Sequence, residues 1–185
     1  LATLASASLV LALCAIACVA PAEGPRICAQ SVLLRTWSGE SDQSGSDYGI
    51  AVASGDVNGD GFDDTLVGAS SFDGVAFNDG RVFGYAGSAE GLDLVPTWTL
   101  SGAGAPDFLG GVLASGFDVN GDGFDDLVVG TSDYGSSRPR VELHLGSSGG
   151  PVPEASWTFQ QSVPIDTPSA ASAGDVDGDG FDDLL

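Results

Sequence analysis

The sequence predicts an all-β protein, a β-propeller of four-stranded antiparallel blades with an acidic loop between strands A and B of each blade. Three observations predict it. The stretch Gly55-Asp-Val-Asn-Gly-Asp-Gly-Phe-Asp-Asp64 is written three times, recurring with small changes at 117–126 and 174–183. The tryptophans of Arg35-Thr-Trp37, Pro96-Thr-Trp98 and Ala155-Ser-Trp157 fall 61 and 59 residues apart, so a whole unit repeats and not merely its loop. Between these markers the apolar runs are short and bounded by Gly-rich turns, and nothing after residue 30 has helical periodicity of useful length. Four short strands per unit fit a propeller blade. A sandwich would not repeat its own sequence, and a solenoid of β-arches would repeat over fewer residues.

The chain opens on residues 1–20, which are almost wholly apolar or small, with no charge before Glu23. This reads as the apolar core of a secretory signal cleaved near Ala20-Pro-Ala22, which makes 1–22 a signal peptide. A retained membrane anchor, for which about 20 apolar residues suffice, and a buried helix are the competing readings. The abundance of Ala and Ser makes the segment weakly apolar for an anchor. Ala15-Ile-Ala-Cys18 also loosely resembles a bacterial lipoprotein cleavage box, which would leave a lipid at the N-terminus. Residues 23–31, with Gly24 and Pro25, read as a linker, and the repeats fill 32–185. Cys14 and Cys18 fall in the leader, so Cys28 alone belongs to the expected mature chain and no internal disulfide framework is available. Core packing and bound metal are left to supply stability.

In the first unit strand A is expected at 49–54, B at 65–69, C at 81–86 and D at 97–100. The second unit follows with 111–116, 127–131, 140–145 and 156–159. The third gives 171–173, its loop, and Leu184-Leu185. Residues 32–37 look like a strand D with no A, B or C before it, a candidate for closing a ring by pairing with the last blade. About two and a half blades are present, too few to close a ring. With no Met and a stop where a strand is due, both ends read as cut from a longer product.

The meander sorts the connections onto two rims. A–B and C–D turns share one rim, which holds all three acidic loops. B–C connections (70–80 and 132–139) and D–A connections (38–48, 101–109 and 160–169) share the other. That second rim is rich in Ser and Gly and differs in every copy, and variable loops on a repeated scaffold are where recognition usually resides.

The acidic loops carry the chemistry. In the first, Asp56, Asn58 and Asp60 offer oxygens at positions 1, 3 and 5, Gly61 permits the bend, Phe62 offers its carbonyl at position 7, and Asp64 reaches back from position 9. Asp118, Asn120, Asp122, Phe124 and Asp126 repeat the set, and Asp175, Asp177, Asp179, Phe181 and Asp183 repeat it again. Hard oxygen donors in this number suit Ca²⁺, which takes about six to eight, rather than Zn²⁺, which favours Cys and His, or Mg²⁺, which keeps more water. One Ca²⁺ per repeat is expected, three in this chain. An EF-hand is excluded, because it needs a bidentate acid at position 12, where Val67 and Val129 stand, and no helix follows.

The loop with its flanks, Tyr48-Gly49 or Leu109-Gly110 before it and Gly68-Ala69-Ser70 or Gly130-Thr131-Ser132 after it, resembles the FG-GAP repeat. That repeat builds the propeller of integrin α-chains and of many secreted bacterial proteins. The resemblance covers roughly 32–185, with Tyr or Leu in place of the eponymous Phe and Ser169-Ala170 in place of Phe-Gly in the third copy. It implies a seven-bladed ring of extracellular type, with structural calcium on one rim and binding on the other.

The remaining residues are read more plainly. Phe62, Phe124 and Phe181 are expected to pack against the blade, and Trp37, Trp98 and Trp157 between blades. His144 alternates with Val141, Leu143 and Leu145 and is expected to face solvent. Asp63, Asp125 and Asp182, at position 8, are expected to brace the loop or face solvent. A net charge of −21 with only five Lys and Arg excludes a nucleic-acid partner, and 13 of the 26 acids lie in the three loops, as unfilled cation sites would place them. No Ser/His/Asp set, free carboxylate pair or phosphate loop is visible, so the chain is read as no enzyme. The expected role is a non-catalytic binding or adhesion module for an extracellular protein or glycan, secreted or held at the cell surface. The alternative is the propeller portion of a secreted enzyme whose catalytic residues lie outside this stretch.

Overall fold

Short β-branched runs separated by glycine-rich turns form strands where the repeat places them. The computed structural model describes residues 9–13, 35–104, 106–131, 139–160 and 169–185, with 9–13 and 35–36 described by backbone only. β1 (Leu9–Leu13) and β2 (Arg35–Gly39) form a two-stranded antiparallel sheet. β3 (Tyr48–Gly55), β4 (Asp64–Ala69), β5 (Arg81–Tyr85) and β6 (Trp98–Ser101) form one antiparallel meander. β7 (Leu109–Ala114), β8 (Leu127–Thr131), β9 (Arg140–His144) and β10 (Trp157–Gln160) form a second in the same order. β11 (Ser172–Gly174) and β12 (Asp183–Leu184) begin a third. There is no helix among the described residues, and so none long and apolar enough to cross a membrane.

The expected orphan strand is placed differently. β2 pairs with β1, Leu9 opposite Gly39 and Leu13 opposite Arg35, rather than with a terminal blade. The rest of the apolar leader, the linker 23–31 and all three cysteines lie outside the described residues, as do 132–138 and 161–168 of the second rim.

In both complete blades the first strand is bulged at the same place. Tyr48 faces Ala69 while Val52 faces Val67, and Leu109 faces Thr131 while Val112 faces Gly130. The extra residues enter at Gly49 and Gly110, with φ of 87° and 90°, a left-handed conformation open to glycine. Gly110 then lies against the neighbouring blade, where a Cβ on Gly68 would fall 2.0 Å from its carbonyl oxygen.

β4 and β8 are buried on both faces, so each separates two cores. Val57, Leu66, Val82 and Leu100 of the first blade meet Leu109, Leu127 and Val129 of the second. Each such side chain contributes roughly 1.5–3 kcal/mol of burial. Tyr48, Val67, Phe72, Phe83 and Tyr85 fill the other face of the first blade, with Trp37 edge-on to Tyr85 at 4.7 Å. Phe117 and Val128 join Val141, Leu143 and Leu184, tying the second blade to the third repeat. Trp98 packs between blades as expected, whereas Trp157 is half exposed and stacked on Phe159.

The polar face of β9 is not in solvent. His144 and Glu142 pair with Leu127 and Val129 of β8, whose side chains pack on the first blade, and Arg140 continues the same face of β9. His144, expected outside, is buried, with Nδ1 2.9 Å from the Val152 carbonyl. Alternation correctly separated His144 from Val141 and Leu143. It could not reveal that both faces of an inner blade are covered. Arg140 holds both oxygens of Asp107 in a bidentate pair, with Nη2 to Oδ2 at 2.6 Å, and its Nε donates to Glu142 at 2.7 Å. His144 Nε2 stands 3.7 Å from the second oxygen of Glu142, too long for a full hydrogen bond.

Candidate metal centre and the opposite rim

Each acidic loop winds around its own first carboxylate. Asp56 Oδ1 accepts from the Asp60 N–H at 2.9 Å and Oδ2 from Gly61 at 2.8 Å. Asn58 Oδ1 accepts from Asp60, and Asp60 Oδ1 accepts from Phe62, both at 2.9 Å. The bend at Gly61, φ 89°, lets the chain reverse so that Asp64 returns to the same cluster. Asp118, Asn120, Asp122 and Gly123 reproduce these bonds in the second loop, and Asp175, Asp179 and Gly180 in the third.

In the first loop the Asn58 amide nitrogen donates to Asp60 at 3.0 Å and to Asp64 at 3.4 Å. An N–H group with partial positive charge thus lies between two of the predicted ligands. The Asn120 amide does the same for Asp122 at 2.9 Å. The third loop has Asp177 at this position, a carboxylate in place of the side-chain amide, and ligand oxygens of Asp175, Asp177 and Asp183 lie within 4.8 Å of one another.

The ninth residue is the buried one. Asp64 and Asp126 are 1% and 0% exposed although the stretches 59–63 and 120–123 of their loops are exposed. Asp64 Oδ1 accepts from the Gly87 N–H at 3.0 Å, and Asp126 Oδ1 from Gly146 at 2.9 Å, so each carboxylate also fastens the C–D turn of its own blade. Asp126 Oδ2 accepts from Val119 at 2.9 Å, but Asp64 Oδ2 is buried with no hydrogen-bond partner. Burial pushes the Asp64 carboxyl up to about 6, with Asp60 and Asp56 adding to the rise, and burial raises Asp126 as well. A buried carboxylate oxygen without a donor, in a loop that carries further acids, is a group that a hard cation satisfies and a neutral core does not. The donor types present therefore fit a Ca²⁺-type ion, and among the described residues the third loop is the one that brings three carboxylate oxygens within 4.8 Å of one another. Asp56, Asn58, Asp60 and Asp64 with the Phe62 carbonyl would hold it, and it would supply positive charge to the cluster.

The loops also touch one another. The Asp56 N–H donates to Asp125 Oδ2 at 2.7 Å, and the Asp125 N–H donates to the Asp56 carbonyl at 3.0 Å. Asp118 and Asp182 repeat the exchange at 3.1 and 3.2 Å. The Phe124 ring covers Gly59 of the preceding loop, and Phe181 covers Gly121. Phe62 and Phe181 remain 44% exposed; Phe124 and Phe181 reach the preceding loop, and Phe62 lies beside Gly87 of its own blade. Sequence reasoning named the eighth residue as a brace or a surface group but missed what it braces. The available signal was the Asp-Asp pair closing every copy, one acid more than a nine-position loop needs.

On the opposite rim the 70–80 connection is strapped from within. Asp79, fully buried, accepts from the N–H groups of Gly74, Val75 and Ala76, and Asp73 accepts from Asn78 at 2.8 Å. Gln43 of the 38–48 connection bonds Asp73 at both its backbone groups, with Oε1 2.6 Å from the N–H and Nε2 3.2 Å from the carbonyl. The Val75 and Phe77 side chains are left exposed at the tip.

A run of four-stranded antiparallel blades, each with an acidic loop between its first two strands, defines a segment of a β-propeller. Residues 118–185 match the FG-GAP-like repeat family. The chain is 32% identical to integrin alpha-5 of Xenopus laevis over 164 residues, covering 82% of this chain and 15% of the relative. It is 34% identical to integrin alpha-IIb of Mus musculus over 155 residues, 78% of the chain and 15% of the relative. Against integrin alpha-7 of Mus musculus the figure is 45% over 103 residues, 53% of the chain and 8% of the relative. The chain belongs to the FG-GAP repeat family, with integrin alpha-like propeller repeats. It spans about a seventh of the length of the first two of these relatives.

Proposed function

We propose that the chain is part of an extracellular, calcium-stabilised propeller that serves as a non-catalytic binding or adhesion module for a protein or glycan. Each repeat takes one Ca²⁺, held in the three loops by Asp56–Asp64, Asp118–Asp126 and Asp175–Asp183 at their odd positions. The observation that carries the reading is the division of the chain between two rims. One rim repeats the same oxygen-rich loop three times and fastens each copy to the next. The other carries connections that differ in every copy, one of them strapped by Asp79 so that Val75 and Phe77 stand out from a fixed backbone. A tip held in shape before contact loses little conformational entropy on binding. The likeness to integrin α-chains over most of the sequence supports an adhesion role at the cell surface or outside it, and a non-enzymatic one.

The test is saturable binding of the full chain to protein and glycan arrays in calcium and in chelator. The reading expects binding that calcium strengthens and that Phe77→Ala weakens by about tenfold, typical of losing a buried aromatic anchor. Absence of saturable binding in both conditions would reject it.

A further inference from the structure

The ligand pattern assigns no role to the eighth residue of the loop, yet it makes the contacts between loops. We propose that Asp125 and Asp182 are positioning residues for the cation site of the preceding blade, so that each such site is built across two blades. The inference rests on the calcium reading above and adds residues that the ligand pattern does not contain.

Asp56 supplies the first ligand of its loop, and both of its backbone groups are engaged by the next blade. Its N–H donates to Asp125 Oδ2 at 2.7 Å and its carbonyl accepts from the Asp125 N–H at 3.0 Å. Its carboxylate meanwhile receives the Asp60 and Gly61 N–H groups. With backbone and carboxylate both fixed, each carboxylate oxygen keeps only its second lone pair, in a set position, to offer a cation. The Phe124 ring lies over Gly59 at the same junction. The second interface repeats every part of this with Asp118, Asp182, Phe181 and Gly121. Asp63, the eighth residue of the first loop, is exposed. The sequence separations are 69 and 64 residues, about one blade, so neither contact comes from the loop's own winding.

The test reads each site separately. Gly61 and Gly123 donate to their own first ligand at 2.8 Å, so each amide resonance reports cation binding in its own loop. Titrating the labelled full chain with CaCl₂, Asp125→Ala should raise the Gly61 midpoint roughly tenfold, as loss of a hydrogen bond to a charged group predicts, and move Gly123 by less than about twofold. Asp182→Ala should do the reverse, and it keeps the test open if one variant fails to fold. Asp125→Asn keeps an acceptor for the Asp56 N–H and should stay near the parent midpoint. If Asn proves as damaging as Ala, the charge of Asp125 acts and not its position, and the proposal is wrong. It is equally overturned if Asp125→Ala leaves Gly61 unchanged or shifts both glycines alike. A parent protein whose glycine amides ignore calcium would instead sink the cation reading, and this proposal with it.

Discussion

Replacing Asp64 with Asn should change the sign of its effect on stability according to whether calcium is present. At about pH 7 without the ion, the parent must hold an ionised carboxylate that is 1% exposed, with Oδ2 unpartnered. A carboxyl lifted from 3.8 to about 6 corresponds to roughly 3 kcal/mol of disfavoured ionisation, at about 1.4 kcal/mol per pH unit. Asn is neutral and can still accept the Gly87 N–H, though its new donor must find a partner among Asp56 and Asp60. A net gain of about 1–2 kcal/mol in chelator is expected, or roughly 2–8 °C in Tm. With calcium at about a hundred times Kd, the parent gains about 2.7 kcal/mol at this site, which the variant largely forgoes. The sign with pH follows from the same group. A carboxyl whose folded pKa is raised gives full relative stability below its unfolded value of 3.8, and that stability is lost as pH rises through about 6. Parent and variant should therefore converge near pH 4 in chelator and separate above pH 6. Thermal melts by circular dichroism in chelator and in saturating calcium, at both pH values, measure all of this. A variant less stable than the parent in chelator at neutral pH would refute the view that Asp64 is strained without a cation.

Removing one partner of the buried Arg140–Asp107 pair by Arg140→Met should cost about 3–5 kcal/mol, because it leaves a desolvated carboxylate; urea unfolding measures it, and a change under about 1 kcal/mol would contradict the seam. Gly68→Ala places a Cβ 2.0 Å from the Gly110 carbonyl, a backbone atom that cannot step aside, so the two blades must part; a loss of about 1–3 kcal/mol in the same assay is expected, and an unaltered midpoint would mean that the blades do not meet there. His144 and then Arg140 hold the Glu142 carboxyl below its ordinary 4.5, so its contribution is present above that pH and is lost as pH falls through the lower folded value. Glu142→Gln should consequently flatten the acid limb of a stability–pH curve, and an identical limb in parent and variant would count against the contact.

The turns of the acidic loops and the strand order were legible in the sequence because both depend on residues close together in the chain. Donors at alternate positions around a glycine bend make a cluster in any context, and the structure draws Asp56, Asn58, Asp60 and Asp64 together as spacing requires. The repeat length gave the blades, and every strand predicted within the three repeats recurs with its ends displaced by at most two residues. What spacing could not supply was the identity of the neighbour across a blade face. Whether His144 meets water or Val152, whether Arg140 finds Asp107, and whether Asp125 turns outward or grips Asp56 are decided by contacts between segments up to 69 residues apart. Alternation sorts side chains onto two faces of a strand but does not say what covers each face. In a stack of blades both faces are covered, so a polar face reads as surface until its neighbour is in place. Chain-local geometry therefore determined what each loop can hold, and tertiary packing alone decided which residues of the next blade hold the loop.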